Sequence, residues 1–496
     1  MKRFLSFAIV LFWLVMVGKL VYRTSSVSHQ AQISSAPSPK HLSQAPLNAQ
    51  EDWMGIYHHD KKIGYFHRRL LPTQTGYRWE ERSQMKLRVM NTDQKAYTEV
   101  IANIDQRYAL QDFSFRLVSS GTVFQVSGAV YENDTAGQEL HGQITAGKNS
   151  SPFSFALQEP LYLPTLTQMT LHRATLQPGD KRQYSIFNPL TAKTDRIHVT
   201  AVAYETLTVH GQTLATTKIA ERFGGTTVHA WLDQDGKVVK EEAALGLVLL
   251  RESQEQALNV GWQDDTPLDL VSSAAIPVQH ALPDPRALTH LRLQLSGPEE
   301  TTLFAFPPRQ NYEEGQLLIT SEDLATLTTY KLPVTDPDFA ADLGSSPFLQ
   351  SDHPRLKKQA QQILGAEDDA IKAVQKLLAW TYTSVDKEPT VGMPTALDAL
   401  DRKKGDCNEH AVLFTALARA SGIPARVAAG VVYLDGAFYY HAWAEVWLGQ
   451  WVSVDPVFNQ FPADATHVKF MQGGPEEHVE LLKIVGHVRM EVLGYK

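Results

Sequence analysis

Short stretches of alternating apolar and polar residues run from Trp53 to about Arg251. Met85-Lys86-Leu87-Arg88-Val89 and Phe113-Ser114-Phe115-Arg116-Leu117 are two of the clearest. A period of two is typical of strands with one face in a core. Turn residues such as Asp235-Gly236 separate the stretches, and no long segment has a convincing helical period. The pattern predicts an antiparallel curved sheet or partial barrel that opens with a hairpin over residues 53–65.

The next segment, residues 259–345, is richer in proline and has only short strand-like stretches, such as Leu291-Arg292-Leu293-Gln294-Leu295. Proline cannot donate to a strand ladder, so long central strands are not expected here. We expect a connector that contains a small β-subdomain.

A helical period appears after His353. Pro354 suits a first helical position and Gly365 a helix end. Asp368-Asp369 then opens a second helix, and residues 396–402 form a short third one. The second helix carries apolar residues at helical spacing: Ile371, Val374, Leu378 and Tyr382.

A fourth helix is predicted to begin at Cys407. Asp406 is a favourable N-cap residue, and Glu409 three positions later completes a capping-box pattern. Ser421-Gly422 followed by Pro424 ends the helix. Its buried face is expected to contain Leu413, Phe414 and Leu417.

The amino-terminal residues 4–22 are apolar except for Ser6 and Lys19. A helix of this length spans about 28 Å, close to the thickness of a bilayer core. A cleaved signal peptide is the alternative, but no small-x-small cleavage site lies at the proper distance. We therefore expect an uncleaved membrane anchor, followed by a flexible linker over residues 24–50 that is rich in Ser, Gln, Ala and Pro.

The chain has 496 residues and a net charge of -8, so two or three ordinary globular domains are expected. Four cations flank or interrupt the apolar amino-terminal stretch: Lys2, Arg3, Lys19 and Arg23. Without these four positive charges the rest of the chain carries about -12. An extended nucleic-acid-binding surface is therefore not expected.

Cys407 is the single cysteine, so no internal disulfide can form. A lone thiol is either a small buried hydrophobe or a reactive group. At the first position of a helix, the dipole and the free N–H groups favour a thiolate and could stabilise an oxyanion beside it.

Two residues downstream of the thiol could complete a nucleophilic site. A three-residue turn at 448–450 would pair Trp447 with Trp451 and place His441 opposite Val457. Asp455 would then lie one diagonal step from His441, on the same face. A two-residue turn would instead put Asp455 on the other face. With the first register, the helix supplies a nucleophile and the hairpin supplies a base and an orienting carboxylate.

Other roles for nearby polar residues are less favoured by the spacing. Zinc binding by one Cys, one His and one Asp would lack the usual second thiol or histidine pair. His410 could be a ligand, but packing or capping is favoured. Structural roles are favoured for His467 and Glu445.

The chain resembles the bacterial transglutaminase-like domains over about residues 350–475. The motifs that carry the resemblance are Gly405-Asp406-Cys407-Asn408-Glu409-His410-Ala411, Ala418-Arg419-Ala420-Ser421-Gly422-Ile423-Pro424-Ala425-Arg426, His441-Ala442-Trp443-Ala444-Glu445-Val446 and Trp451-Val452-Ser453-Val454-Asp455-Pro456.

The resemblance implies a papain-like α+β core with Cys407 as nucleophile, His441 as base and Asp455 as orienting carboxylate. Animal members of the superfamily depend on calcium, but no acidic loop with calcium-ligand spacing is present, so no metal or other cofactor is expected. A tryptophan serves as second oxyanion donor in some relatives. Trp380 is the upstream tryptophan of this domain, but no motif assigns it that role.

The expected fold is α+β, with a transmembrane anchor (4–22), a linker (24–50), a β-rich domain (51–258), the connector (259–345) and a transglutaminase-like catalytic domain (346–496). The expected activity is acyl transfer from amide bonds of proteins or peptides through a Cys407 thioester, with hydrolysis favoured over cross-linking. The expected location is a bacterial inner membrane, with the catalytic domain in the periplasm. A non-catalytic envelope scaffold that binds through the β-rich domain is the alternative function.

Overall fold

The computed structural model describes residues 34–35, 48–58, 60–89, 92–119, 121–132, 137–171, 176–223, 226–243, 246–259, 268–269, 275–297, 304–390, 392–474, 481 and 488–496. The predicted anchor at 4–22 lies outside these residues, as does most of the predicted linker at 24–50. Within the described ranges, the helices are all too short or too polar to cross a bilayer.

Seventeen strands of the described residues form one large sheet. They are β1 (Ser34–Ser35), β2 (Gln50–His58), β3 (Lys61–Pro72), β4 (Gly76–Val89), β5 (Thr92–Asp105), β6 (Leu110–Ser119), β7 (Thr122–Glu132), β8 (Gln138–Ala146), β9 (Asn149–Leu157), β10 (Leu161–Tyr162), β11 (Lys181–Asn188), β12 (Lys193–Val209), β13 (Gln212–Phe223), β14 (Thr226–Leu232), β15 (Val238–Glu242), β16 (Leu247–Glu252) and β17 (Leu268–Asp269).

The remaining strands of the described ranges belong to smaller sheets. They are β18 (Ile276–Pro277), β19 (His290–Ser296), β20 (Gln310–Glu313), β21 (Gln316–Thr320), β22 (Asp386–Lys387), β23 (Lys404–Gly405), β24 (Ala425–Leu434), β25 (Ala437–Trp447), β26 (Trp451–Val454), β27 (Val468–Gly473) and β28 (Arg489–Tyr495).

The described helices are α1 (Thr167–Leu171), α2 (Gln254–Leu258), α3 (Ala340–Leu343), α4 (Pro354–Leu364), α5 (Ala370–Ser384), α6 (Ala396–Arg402) and α7 (Cys407–Ala420). Single 3₁₀ turns occur at Pro164–Leu166, Pro285–Ala287, Leu324–Thr326 and Pro337–Phe339.

The large sheet is an antiparallel meander that curls into a barrel-like shape. Neighbouring strands pair in sequence from β2 to β9 and from β11 to β16, and β16 joins the two halves by pairing with β2. Phe153 of β9 stacks on Phe187 of β11 with ring centroids 5.7 Å apart, although the two strands belong to different halves of the meander. Met54, Trp79 and Phe124 are at most 1% exposed in the core that this curvature encloses. The predictions of a curved antiparallel sheet and of its opening hairpin are confirmed.

The predicted helices of the carboxy-terminal region are present with the expected boundaries. Asp369 caps α5. The buried face of this helix is centred on Val374, Leu377 and Leu378. Tyr382, expected on the apolar face, is 37% exposed, because it lies at the edge of that face. These helices pack with α7 in one hydrophobic core against β25 and β24.

Residues of the connector contribute to two sheets of the carboxy-terminal region. β18 pairs with β25 and thereby extends the sheet of β24, β25, β26 and β27. β19 pairs with β21 on one side and with the terminal strand β28 on the other. The predicted strand 291–295 is thus confirmed within β19, and the last strand of the chain completes its sheet.

The large sheet also contacts the loops around the helical region. Gln94 of β5 donates to the carbonyl of Pro389 at 3.1 Å, and the neighbouring Thr390 donates to Glu409 in the first turn of α7 at 2.9 Å. Gln350 donates to Ser151 of β9 at 3.0 Å. The barrel-like sheet therefore supports the loop that lies beside the start of α7.

Candidate active site

Cys407 is the first residue of α7, as the capping pattern predicts. The side chain of Asp406 accepts from the N–H of Asn408 at 2.8 Å, and Glu409 accepts from the N–H of Asp406 at 2.9 Å. A Cβ on Gly405 would lie 2.3 Å from that of Glu409, so the close return of Glu409 requires glycine there. The capping box therefore fixes where the helix begins and where the thiol lies.

More negatively charged groups lie around the Cys407 thiol than the sequence suggests. Burial and the carboxylates of Asp406, Glu409 and Asp455 raise the pKa of Cys407 well above its usual range. The N–H of Ala442 donates to the sulfur and offsets part of this rise. Burial and nearby negative charge therefore oppose the helix dipole, which by itself favours a thiolate. The thiol needs a base to remove its proton.

The hairpin of β25 and β26 has the predicted turn but a shorter ladder. Trp447 pairs with Trp451 across a three-residue turn, as expected. The second strand ends at Val454, so the predicted pairing of His441 with Val457 does not form. The chain bends away instead, and this bend redirects the following carboxylate.

The carboxylate of Asp455 is fully buried and accepts four hydrogen bonds. Oδ2 accepts from Nε2 of His441 and Nε2 of His467, both at 2.8 Å. Oδ1 accepts from the N–H groups of Val457 at 2.6 Å and Phe458 at 3.0 Å. Burial alone would raise the pKa of Asp455, but the two imidazoles outweigh it and hold that pKa far below its usual range. Asp455 is therefore an anion at neutral pH.

Two contacts hold the imidazole ring of His441: a hydrogen bond to Asp455 at its edge and the ring of Phe458 on its face. Because Asp455 is an anion that can only accept, Nε2 of His441 carries the hydrogen of this bond, and a neutral ring would leave Nδ1 without one. Phe458 stacks on the imidazole with centroids 5.1 Å apart and an interplanar angle of 16°. The thiol lies next to this residue in the structure, because the N–H that reaches the Cys407 sulfur belongs to Ala442. The predicted base and carboxylate are thus in direct contact, and the strand that carries the base reaches the thiol.

His467 is the part of this arrangement that the sequence interpretation missed, since a structural role was favoured for it. It lies just before β27, and β27 pairs closely with β24. A Cβ on Gly430 would lie 2.0 Å from the carbonyl oxygen of Val468, so this close approach also requires glycine. A histidine twelve positions after the carboxylate carries no motif signal, and only the strand pairing brings it to Asp455.

The other polar residues lie in separate networks. Glu445 is buried between Arg426 at 2.7 Å and Lys469 at 2.6 Å. His410 is fully buried and bonds the carbonyls of Asp406 and Val385, as expected for packing and capping. Trp380 packs against the helical core, and a role for it as oxyanion donor stays a prediction.

A metal ion has one possible donor set among the described residues. His441, Asp455 and His467 each offer an atom, and these atoms lie within 4.8 Å of one another. The two nitrogens approach the same carboxylate oxygen at hydrogen-bond distance, however, and hydrogen bonds satisfy all three groups. Cys407 is not a member of this set.

Residues 357–456 match the family described as the transglutaminase-like superfamily. The match spans the helices α4 to α7 and the hairpin, and it includes Cys407, His441 and Asp455. This part of the chain is therefore a transglutaminase-like domain, as the sequence motifs indicate.

One curated relative matches a short part of this chain. An uncharacterized protein of Mycobacterium leprae is 32% identical over 97 residues, which are 17% of this chain and 34% of that protein. The chain thus matches about a third of the length of this curated relative.

Two solved structures give low structural similarity. A candidate cysteine protease from Cytophaga hutchinsonii has a TM-score of 0.28 and 19% identity over 40% of this chain and 83% of that chain. A β-barrel-like protein of unknown function from Brucella abortus has a TM-score of 0.32 and 9% identity over 42% of this chain and 96% of that chain. At these scores the two structures carry no weight for function.

Proposed function

We propose that the transglutaminase-like domain is a cysteine enzyme that transfers the acyl group of an amide bond in a protein or peptide to Cys407. The observation that carries this proposal is the chain of contacts from Asp455 through His441 to the strand that touches the thiol. The Asp455–His441 bond is 2.8 Å long, and the residue after His441 donates its N–H to the sulfur. A nucleophile, a base and a group that orients the base are what thiol catalysis requires.

The acylation step uses the free nitrogen of His441. Nδ1 takes the proton of the Cys407 thiol while the sulfur attacks the substrate carbonyl carbon. The resulting imidazolium is stabilised by the Asp455 anion. His441 then gives this proton to the departing amine as the carbon–nitrogen bond breaks, which leaves a thioester on Cys407. Because the surroundings raise the pKa of Cys407, this transfer to His441 is essential to the step.

Water or an amine can resolve the thioester. With water, His441 removes a proton as oxygen attacks, and the products are a carboxylic acid and the regenerated thiol. With an amine, the product is a new amide, which is cross-linking. We favour hydrolysis because water is the default acceptor unless a second substrate site excludes it.

Alkylation of Cys407 by iodoacetamide tests the proposal without a known substrate. The chain has one cysteine, so the label reports on this site alone, and Cys407→Ser is the blank. We expect His441→Ala to slow alkylation at neutral pH by about tenfold or more. His141→Ala, a change at an exposed histidine of β8, should leave the rate unchanged. A slow rate that His441→Ala does not alter would overturn the enzyme proposal and favour a non-catalytic scaffold.

Capture of the acyl-enzyme would identify the substrate class. A lysate incubated with the full chain and quenched in acid should yield a peptide joined to Cys407 as a thioester. Mass spectrometry of that peptide and of the released product distinguishes hydrolysis from cross-linking. A nucleic acid is not an expected partner, given the negative charge of the chain.

We also propose that residues 4–22 anchor the chain in a bacterial inner membrane, with the enzyme facing the periplasm. The supporting observation is the apolar composition of this stretch and the basic residues before it. Protease added to intact spheroplasts should digest the transglutaminase-like domain. Digestion only after lysis would contradict the proposed orientation.

A further inference from the structure

His467 lies behind Asp455 and has no direct part in the proposed chemistry. Its side chain is fully buried, and its Nε2 reaches the same carboxylate oxygen that His441 bonds, at 2.8 Å. Its Nδ1 lies 3.2 Å from the carbonyl oxygen of Asp464 and 3.4 Å from the Oδ1 of that residue. Both ring nitrogens therefore face oxygen atoms that carry no hydrogen.

This geometry, together with the negative charge of the two carboxylates that the ring meets, indicates the charge on the ring. A neutral imidazole has one N–H and would leave its other nitrogen facing an acceptor without a hydrogen between them. Although burial lowers it, the carboxylates of Asp455 and Asp464 raise the pKa of His467 above its usual value. Both nitrogens can donate only if the ring is an imidazolium.

His410 provides an internal comparison. It is also buried, and its two nitrogens also bond oxygen atoms, the carbonyls of Asp406 and Val385. These carbonyls are neutral, and burial lowers the pKa of His410. The two histidines therefore differ in the charge of the oxygens they meet, which is what makes His467 the cation.

A second cation closes the network around the predicted base. Arg286 donates to Oδ2 of Asp464 at 2.8 Å, and its guanidinium covers the ring of Phe458 at 4.6 Å. Phe458 in turn stacks on His441. Negative and positive groups thus alternate in the order Asp455, His467, Asp464 and Arg286. The ring of Phe458 lies between Arg286 and His441 and contacts both.

We propose that His467 is a permanently protonated positioning residue that orients Asp455 and supplies the positive charge which offsets the carboxylates around Cys407 and His441. This inference rests on the proposed function of that site. The charged and titratable groups facing His467 are Asp455, Asp464 and His441, whose ring centroid lies 5.6 Å away, with Arg286 beyond Asp464. The rings of Trp443 and Phe458 cover it.

A positive charge on His467 would influence the pH dependence of the Cys407 thiol. Removing a buried positive charge makes a nearby proton harder to remove, so the thiol of Cys407 should titrate at higher pH. A residue that only fills space would not shift this titration when replaced by another of similar size. The pH profile therefore separates a charge effect from a packing effect.

Alkylation of the full chain by iodoacetamide, followed from about pH 5 to 10, measures this shift. His467→Gln can keep an N–H at Asp455 but is neutral. We expect its profile to move to higher pH by about one to two units, which lowers the rate at neutral pH by about ten- to a hundredfold. His467→Ala should show the same shift and a lower plateau at high pH, since Asp455 also loses a donor. His141→Gln is the control, because that histidine is exposed on β8.

Nitrogen-15 NMR of the histidine-labelled chain tests the charge directly. The His467 signals, identified by their loss in His467→Gln, should show both nitrogens protonated throughout the range from about pH 5 to 9. The His410 signals should show a neutral ring over the same range. A neutral His467, or a His467→Gln profile that does not shift, would overturn the proposal. So would a stoichiometric metal in the purified chain that His467→Gln removes.

The two proposals fail in different ways. If His441→Ala leaves alkylation unchanged, the enzyme proposal fails, while the charge of His467 can still be read by NMR. If His441→Ala slows alkylation but His467→Gln leaves the pH profile in place, the enzyme proposal stands and the positioning role is excluded.

Discussion

The chain contains two buried carboxylates in contrasting environments, Glu221 in the core of the large sheet and Asp455 in the transglutaminase-like domain. Their exposures are 3% and 0%. Burial and the neighbouring Glu241 raise the pKa of Glu221 to about 7, although hydrogen bonds from Gln168 and Thr167 oppose this. The pKa of Asp455 is instead held far below its usual range. Similar burial therefore accompanies pKa shifts in opposite directions.

The donors explain the difference. Asp455 meets two imidazoles and two backbone N–H groups, whereas Glu221 meets the neutral side chains of Thr167 at 2.9 Å and Gln168 at 2.8 Å. The Thr167 hydroxyl also lies 2.7 Å from the carbonyl of Pro164 and has one hydrogen for both. The single hydrogen of that hydroxyl is therefore shared between Glu221 and Pro164, which weakens its stabilisation of the Glu221 anion. Cationic donors, and not depth of burial, decide which carboxylate is an anion.

The largest expected effect comes from removing the anion. Asp455→Ala removes one of the two carboxylates that the buried His467 contacts. It also removes the group that orients His441. We expect the free energy of unfolding of this domain to fall by about 3–5 kcal/mol and alkylation of Cys407 to be strongly slowed. Urea denaturation followed by tryptophan fluorescence measures the first effect. Asp386→Asn, at an exposed aspartate, is the control, and an equal loss there would contradict the assignment.

The second prediction has the opposite sign to the first. Replacing Glu221 should stabilise the chain, because the ionised Glu221 side chain lowers the free energy of unfolding. Its folded pKa of about 7 exceeds its ordinary value of 4.5, so the folded state binds more protons between these values and stability falls as pH rises through this window. Glu221→Gln should remove about 3 kcal/mol of this dependence and stabilise the chain at pH 8. Denaturation curves at several pH values measure it. Lower stability of the variant at pH 8 would show that the folded state stabilises ionised Glu221 and that its pKa is not raised.

A third buried carboxylate lies between the two extremes. Glu445 is paired with both Arg426 and Lys469, and these cations lower the pKa of Glu445 despite its burial. Lys469→Met removes one of the two, so we expect a loss of about 1–2 kcal/mol, smaller than for Asp455→Ala. The same denaturation assay measures it. A loss as large as that of Asp455→Ala would mean that the second cation contributes little.

The smallest effect is expected for a carboxylate that is exposed to water. Asp93 pairs with Arg88 at 2.7 Å on the exposed part of β5. Although Arg88 lowers the pKa of Asp93, ordinary hydration remains available to both charges. Asp93→Asn should leave the thermal midpoint unchanged. A clear shift would show that the comparison between buried and exposed carboxylates is incomplete.

Local chemistry made several parts of the candidate site predictable. The capping box of Asp406 and Glu409 marked the start of α7, and the three-residue turn paired Trp447 with Trp451. The motifs around Cys407, His441 and Asp455 indicated the transglutaminase-like domain. The ladder beyond Val454 was predicted wrongly, since where the second strand ends depends on groups that are distant in sequence.

By itself the sequence determined where helices and strands begin, because caps, turns and hydrophobic periods act over a few residues. Only the tertiary structure decided which charges meet. His467 reaches Asp455 through the pairing of β24 with β27, and Arg286 arrives from the connector. Electrostatic energy depends on distance and solvent exclusion across the whole fold, so the protonation states of Cys407, Asp455 and Glu221 follow from the packing of distant segments.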